Sequence, residues 1–118
     1  MALTKKITIV DYGMGNIFNL SRALEELNCG VEVSSDVDKI KNADKLLLPG
    51  VGAFKDGING LKANNLDIAI NEYILKERPI MGICLGMQLL LSSSEENGQH
   101  QGLDIIKGTV KKLSLIHI

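Results

Sequence analysis

A chain of 118 residues suits one domain and leaves little room for two. Its 45% hydrophobic and 23% charged residues, with a formal net charge of −1, describe an ordinary soluble protein. They supply no electrostatic case for nucleic acid or an anionic membrane. Tryptophan is absent and aromatics are scarce, so a stacking platform for single-stranded nucleic acid is not expected.

No apolar run approaches the roughly 20 residues of a membrane span, and Met1-Ala-Leu-Thr-Lys-Lys6 leads directly into a strand-like segment. Neither a signal peptide nor an anchor is expected, and the expected location is the cytoplasm. Cys29 and Cys84 form neither a paired framework nor a metal-ligand spacing, so both read as reduced cytosolic thiols. No metal or cofactor is implied.

In chain order, residues 6–10 are a short apolar, β-branched run closed by the turn cluster Asp11-Tyr-Gly-Met-Gly-Asn16, which predicts a buried first strand. From 17 to 27 the apolar positions Ile17, Leu20, Ala23, Leu24 and Leu27 recur at helical spacing, and Asn28-Cys29-Gly30 supplies a helix stop. Residues 31–34 read as the second strand, 36–42 as a short helix and 44–49 as the third strand, leaving through a Pro-Gly-Val-Gly turn. Residues 57–61 and 66–76 read as a helix, or as two helices broken near Asn64-Asn65. Residues 79–83 read as the fourth strand and 85–93 as the helix after it. A polar loop follows Ser94, and 103–113 reads as a strand or hairpin.

Strands that are apolar throughout and alternate with helices imply an α/β fold, an open and mostly parallel sheet covered on both faces. Chemistry in such folds sits beyond the carboxyl ends of the strands. That directs attention to the loops after Val10, Leu48 and Ile83.

The last of these carries Gly82-Ile-Cys84-Leu-Gly86, a G-x-C-x-G pattern at a strand-to-helix junction. It has the mechanics of a nucleophile elbow, with the nucleophile on a tight turn and glycines two positions away on each side letting backbone approach closely. The N-terminal amides of the next helix would favour a thiolate, and the Leu85 N–H would point at an oxyanion on a substrate carbonyl. The plainer reading is a cysteine that fills space before a helix. The paired glycines, the apolar strand before and the helix after favour the functional one. Cys29 lacks these neighbours and reads as a small core or surface residue.

Gly82-Ile-Cys-Leu-Gly-Met-Gln88 resembles the nucleophile motif of triad-type glutamine amidotransferases. With Pro49-Gly-Val-Gly-Ala-Phe54 and Val10-Asp-Tyr-Gly-Met-Gly-Asn16, the chain resembles the glutaminase subunits of imidazole glycerol phosphate synthases, over about residues 6–113. The resemblance implies a flavodoxin-like fold, and glutamine hydrolysis to glutamate and ammonia through a cysteinyl thioester. It makes Cys84 the nucleophile, with Leu85 as one oxyanion donor and Val51 as the other if the Gly50–Val51 peptide turns its N–H inward. Gly50, Gly52 and Gln88 would then line the glutamine pocket, and Glu96 would contact the amino-acid end of glutamine. Tyr12, Gly13, Met14, Gly15 and Asn16 would face the partner, a TIM-barrel cyclase subunit that receives the ammonia in histidine biosynthesis. The plainer alternatives are a tight turn at 49–52, a solvated Gln88 and a solvated acidic pair at Glu95 and Glu96.

An activated cysteine needs a base, and the base an orienting group. The resemblance implies a His-x-Glu pair well downstream of the cysteine. Here His100 is followed two residues later by Gly102, and His117 is penultimate, so neither matches. The expectation is therefore the N-terminal part of a single amidotransferase domain over 1–118, incomplete at its C-terminus and inactive alone. Such a piece would expose a strand edge and an apolar face, favouring marginal stability or association.

Three alternatives stay in view. The chain is a non-catalytic interaction module, a paralogue feeding ammonia to sugar amidation, or a member of the related peptidase and deglycase group. A dinucleotide-binding reading of Gly13-x-Gly15 fails because Phe18 stands where helix–strand packing wants glycine or alanine.

Overall fold

The computed structural model describes residues 6–113. β1 (Lys6–Val10) pairs in parallel with β2 (Gly30–Ser34), from Lys6 opposite Gly30 to Val10 opposite Ser34. On its other side β1 pairs with β3 (Leu46–Leu48), setting Ile9 opposite Leu47, and β3 pairs with β4 (Ile80–Gly82), setting Leu48 opposite Gly82. The strand order is β2-β1-β3-β4, with every pair parallel. This is the expected α/β sheet. Its carboxyl edge gathers the ends of β1, β3 and β4, so the loops at 11–16, 49–53 and 83–84 open on the same side of the molecule.

The connections are helical because their apolar residues repeat at helical spacing. α1 (Ile17–Glu26) begins at Asn16, whose side chain accepts from the Asn19 N–H. α2 (Val37–Lys41) begins at Asp36, whose carboxylate takes the N–H groups of Asp38 and Lys39. α3 (Phe54–Ala63) and α4 (Leu66–Ile74) are separate helices, parted where Asn65 takes a left-handed conformation that stops one helix and starts the next. Lys76 and Arg78 reach back to the carbonyls of Lys41 and Ala43, both at 2.8 Å, and satisfy groups that the end of α2 leaves open.

The core lies on the side of the sheet that carries α2 to α5. Val10, Leu46 and Leu48 project from the strands against Ile40, Phe54, Leu61, Leu66, Ile70, Tyr73 and Leu89. Each large apolar side chain fully buried here contributes about 1.5–3 kcal/mol. Tyr73 brings polarity into the core but shares its hydroxyl between the carbonyls of Asp44 and Pro79, joining α4 to the starts of β3 and β4.

The opposite side of the sheet is thinner. Ile17, Leu20 and Leu24 of α1 are only half-buried, and Ala23 and Leu27, read as core positions from their spacing, are exposed. Among the described residues β4 is an edge strand, and an apolar groove of about 270 Å³ runs between Ile7, Leu24, Leu47 and Met81.

The structure departs from expectation after Cys84. The helix predicted over 85–93 is only α5 (Leu85–Leu89); its expected last turn lies instead in β5 (Leu91–Ser94), and the expected polar loop contains β6 (His100–Gln101). Residues 103–113 hold one strand, β7 (Ile106–Val110), and no hairpin. β5 pairs antiparallel with β6 and parallel with β7, making a second sheet that the sequence reading missed. Three serines at 92–94 are weak helix formers. The Leu89 and Leu90 carbonyls that would extend the helix instead accept the N–H groups of Leu103, Ile105 and Ile106.

Candidate active site

Cys84 stands between β4 and α5 with φ 55° and ψ −120°, a backbone conformation that side-chain-bearing residues rarely adopt. The chain reverses sharply there. The Gly86 N–H donates to the Ile83 carbonyl at 2.9 Å, and the Gln88 N–H reaches the Cys84 carbonyl at 3.2 Å. The flanking glycines make this turn possible. A Cβ on Gly86 would lie 1.8 Å from the Leu48 carbonyl oxygen, and one on Gly82 would lie 2.7 Å from the Met87 Cα. Any larger residue at either position would drive the elbow away from the sheet. The result is a cysteine side chain held out to solvent on a rigid turn.

The loop after β3 lies beside this turn. The Leu85 N–H donates to the Gly50 carbonyl oxygen at 3.1 Å. The Gly50–Val51 peptide therefore turns its carbonyl, not its N–H, toward the elbow, and the donor expected to face an oxyanion is occupied. The Val51 side chain is 61% exposed, so no packing holds that end of the peptide. The loop after β1 packs on the same segment. A Cβ on Gly15 would sit 3.4 Å from Gly50, and one on Gly52 would sit 2.9 Å from the Met14 Cε.

Tyr12 differs from the partner-facing position expected of it. Its side chain is 6% exposed and belongs to the core, and its hydroxyl donates to the Pro49 carbonyl. Burial pushes its pKa up, which keeps the phenol a neutral donor. Gly13 and Asn16 are exposed and Met14 and Gly15 half-exposed, so the outer part of this loop is open to solvent.

Gln88 and Glu96 line one pocket of about 300 Å³, together with Asn97, Val110, Lys111 and Lys112. Glu96 is not simply a solvated acid. Its Oε1 accepts the Phe54 N–H at 3.2 Å, at the start of a helix whose N-cap, Ala53, has no side-chain acceptor. Lys111 and Lys112 carry no sequence signal for this place, and only the fold of β7 brings them here. His100 lies in β6 with its Nε2 at 3.0 Å from the Asn97 carbonyl, and it lines a groove with Lys55, Asn59 and Lys62. His117 lies outside the described residues. No group of His, Cys, Asp and Glu among the described residues is placed to hold a metal ion.

A strained cysteine between two crowded glycines thus stands beside the loop after β3 at the carboxyl edge of a parallel sheet. The sequence profile of class-I glutamine amidotransferases matches residues 8–115, and the chain belongs to that family. It is 48% identical over 108 residues to the imidazole glycerol phosphate synthase subunit HisH of Oceanobacillus iheyensis, covering 92% of this chain and 54% of that protein. It is 47% identical over 104 residues to HisH 1 of Legionella pneumophila, covering 88% and 49%. The chain thus spans about half the length of these curated relatives.

Two solved structures share the fold. A glutamine amidotransferase superposes with a TM-score of 0.74 at 14% identity, over 89% of this chain and 56% of that one. A peptidase E protein from Listeria monocytogenes superposes at 0.70 and 16%, over 89% and 65%. At these identities the likeness concerns the fold.

Proposed function

We propose that this chain carries the nucleophile half of a glutaminase, and that the complete domain supplies ammonia to a TIM-barrel cyclase subunit in histidine biosynthesis. The observation that carries this reading is the elbow at Cys84 set against the Gly50–Val51 peptide. Family membership and the HisH relatives support glutamine as the substrate and histidine biosynthesis as the pathway.

In the proposed reaction the Cys84 sulfur attacks the carboxamide carbon of glutamine, and negative charge collects on its oxygen. The Gly50–Val51 peptide turns, freeing the Leu85 N–H and presenting the Val51 N–H, so two backbone donors meet that oxygen. Collapse breaks the C–N bond, and nitrogen leaves as ammonia carrying the proton lost by the thiol. Water then cleaves the thioester, releasing glutamate and restoring the thiol. Gln88 and Glu96 hold the substrate from their shared pocket, and Gly50 and Gly52 give the loop beside Cys84 room to meet it. The outer loop at Gly13, Met14, Gly15 and Asn16 meets the cyclase subunit.

The 118 residues contain no His-x-Glu pair. A positioned base contributes about 10²–10⁴-fold in rate, so this polypeptide alone is expected to release ammonia at a small fraction of a complete domain's rate. The test is ammonia release from glutamine by residues 1–118 and by the same residues joined to the remainder of the Oceanobacillus iheyensis relative. Activity only in the joined chain, abolished by Cys84→Ala, is the expected result. A joined chain that folds but is indifferent to Cys84→Ala would remove the glutaminase reading.

A further inference from the structure

We propose that Tyr12 is a positioning residue for the loop at 49–52: its hydroxyl, donated to the Pro49 carbonyl, holds the near end of the loop so that only the Gly50–Val51 peptide turns. This rests on the reading of that loop as the oxyanion loop of a glutaminase.

Three successive carbonyls define the loop as it leaves β3. The Leu48 oxygen accepts the Ile83 N–H at 3.0 Å, and the Gly50 oxygen accepts the Leu85 N–H at 3.1 Å. Pro49 lies between them, is buried, and its oxygen accepts from Tyr12. Each carbonyl thus has its own partner, and two of the three partners come from the elbow itself. Without the phenol, the Pro49 oxygen would lose its donor in a site shielded from water, a costly arrangement that the chain would relieve by moving.

The geometry around Gly50 fits the same role. A Cβ built on Gly50 would come 2.1 Å from the Tyr12 hydroxyl oxygen. The phenol therefore occupies the space a side chain at 50 would need, and glycine there leaves the peptide free to rotate against it. Turning the Gly50–Val51 peptide requires changes at Gly50 ψ and Val51 φ and leaves the Pro49 carbonyl in place. Tyr12 is thus bonded to the last fixed carbonyl before the moving one. Its raised pKa keeps the hydroxyl protonated and able to donate across the neutral range.

Amide hydrogen exchange on the ¹⁵N-labelled chain tests this role. Tyr12→Phe keeps the ring in the core and removes only the donor. It is expected to speed exchange of the Leu85 amide by about tenfold, the effect of one lost hydrogen bond on local opening, while the Ile83 amide is unchanged. Gly50→Ala pushes a methyl group against the hydroxyl and is expected to give the same signature if Tyr12→Phe folds poorly. Tyr73→Phe removes a comparable buried hydroxyl from the opposite end of the strands and should leave the Leu85-to-Ile83 ratio alone. An unchanged ratio in both Tyr12→Phe and Gly50→Ala, or an equal shift in Tyr73→Phe, overturns the role. The ammonia-release assay reports on the glutaminase reading separately. A Leu85 signature without Cys84-dependent activity removes the function and leaves the anchor, and activity without the signature does the reverse.

Discussion

At the residue scale, the elbow concentrates strain on one side chain. Cys84 sits at φ 55° although it carries a Cβ, and such a conformation costs about 1–3 kcal/mol unless surrounding structure enforces it. Here Gly82 and Gly86 enforce it through their close contacts with Met87 and Leu48. Replacing Cys84 by glycine relieves the strain, whereas alanine keeps it. Cys84→Gly is therefore expected to be more stable than Cys84→Ala by about 1 kcal/mol, after allowing for the greater freedom of glycine in the unfolded chain. Urea denaturation of the two variants measures the difference, and equal midpoints would mean that the turn stores no strain at this position.

Among the elements, α3 is the helix most dependent on a distant residue. Its first free N–H is satisfied by Glu96, 42 positions along the chain, because Ala53 cannot cap it. Glu96→Ala is expected to destabilise the fold by about 1 kcal/mol, as the loss of a helix N-cap does. Calorimetry of this variant beside Glu95→Ala, where no such bond exists, separates capping from charge. If Glu96 also meets the amino-acid end of glutamine, as proposed, substrate competes with α3 for one carboxylate. β5 shows the same dependence on long-range partners, since Ser92–Ser94 becomes a strand only with β6 and β7 on either side.

Across the whole molecule, the two sides of the sheet differ in how well they are covered. Met81 is 61% exposed in the middle of β4, beside the apolar groove formed with Ile7, Leu24 and Leu47. Apolar surface next to a strand edge favours association. Sedimentation velocity is expected to show concentration-dependent self-association of this polypeptide, reduced in Met81→Lys. A monomer at all concentrations would remove this expectation. Two buried phenols are expected to contribute to a loss of stability at high pH. Burial raises the pKa of both Tyr12 and Tyr73 in the folded chain, while the unfolded chain ionises them near the ordinary value of about 10. Folded chains therefore hold more protons in that range, and stability falls as pH rises through it. Below that range the neutral phenols carry no such penalty. Tyr12→Phe is expected to flatten the alkaline limb of a plot of stability against pH while Tyr73→Phe flattens the remainder, and an unchanged limb in both would contradict the assignment.

Residues close in sequence determined much of this protein. The β-branched runs, the helical spacing between them and the glycines around Cys84 specify strand, helix and elbow through local conformation, and so the parallel sheet and its nucleophile were legible. The match of three motifs in order likewise pointed to the amidotransferase family. Only the tertiary structure decided which way a group faces once distant segments meet. It placed Tyr12 inside against Pro49, occupied the Leu85 amide with the Gly50 carbonyl, bonded Glu96 to α3 and ended α5 after five residues in favour of a second sheet. Each is a hydrogen bond or buried contact between residues far apart along the chain, and local propensity does not encode such pairings. The same distinction applies to Cys84: its neighbours in sequence built the turn, and the loop folded against it occupied the donor next to its sulfur.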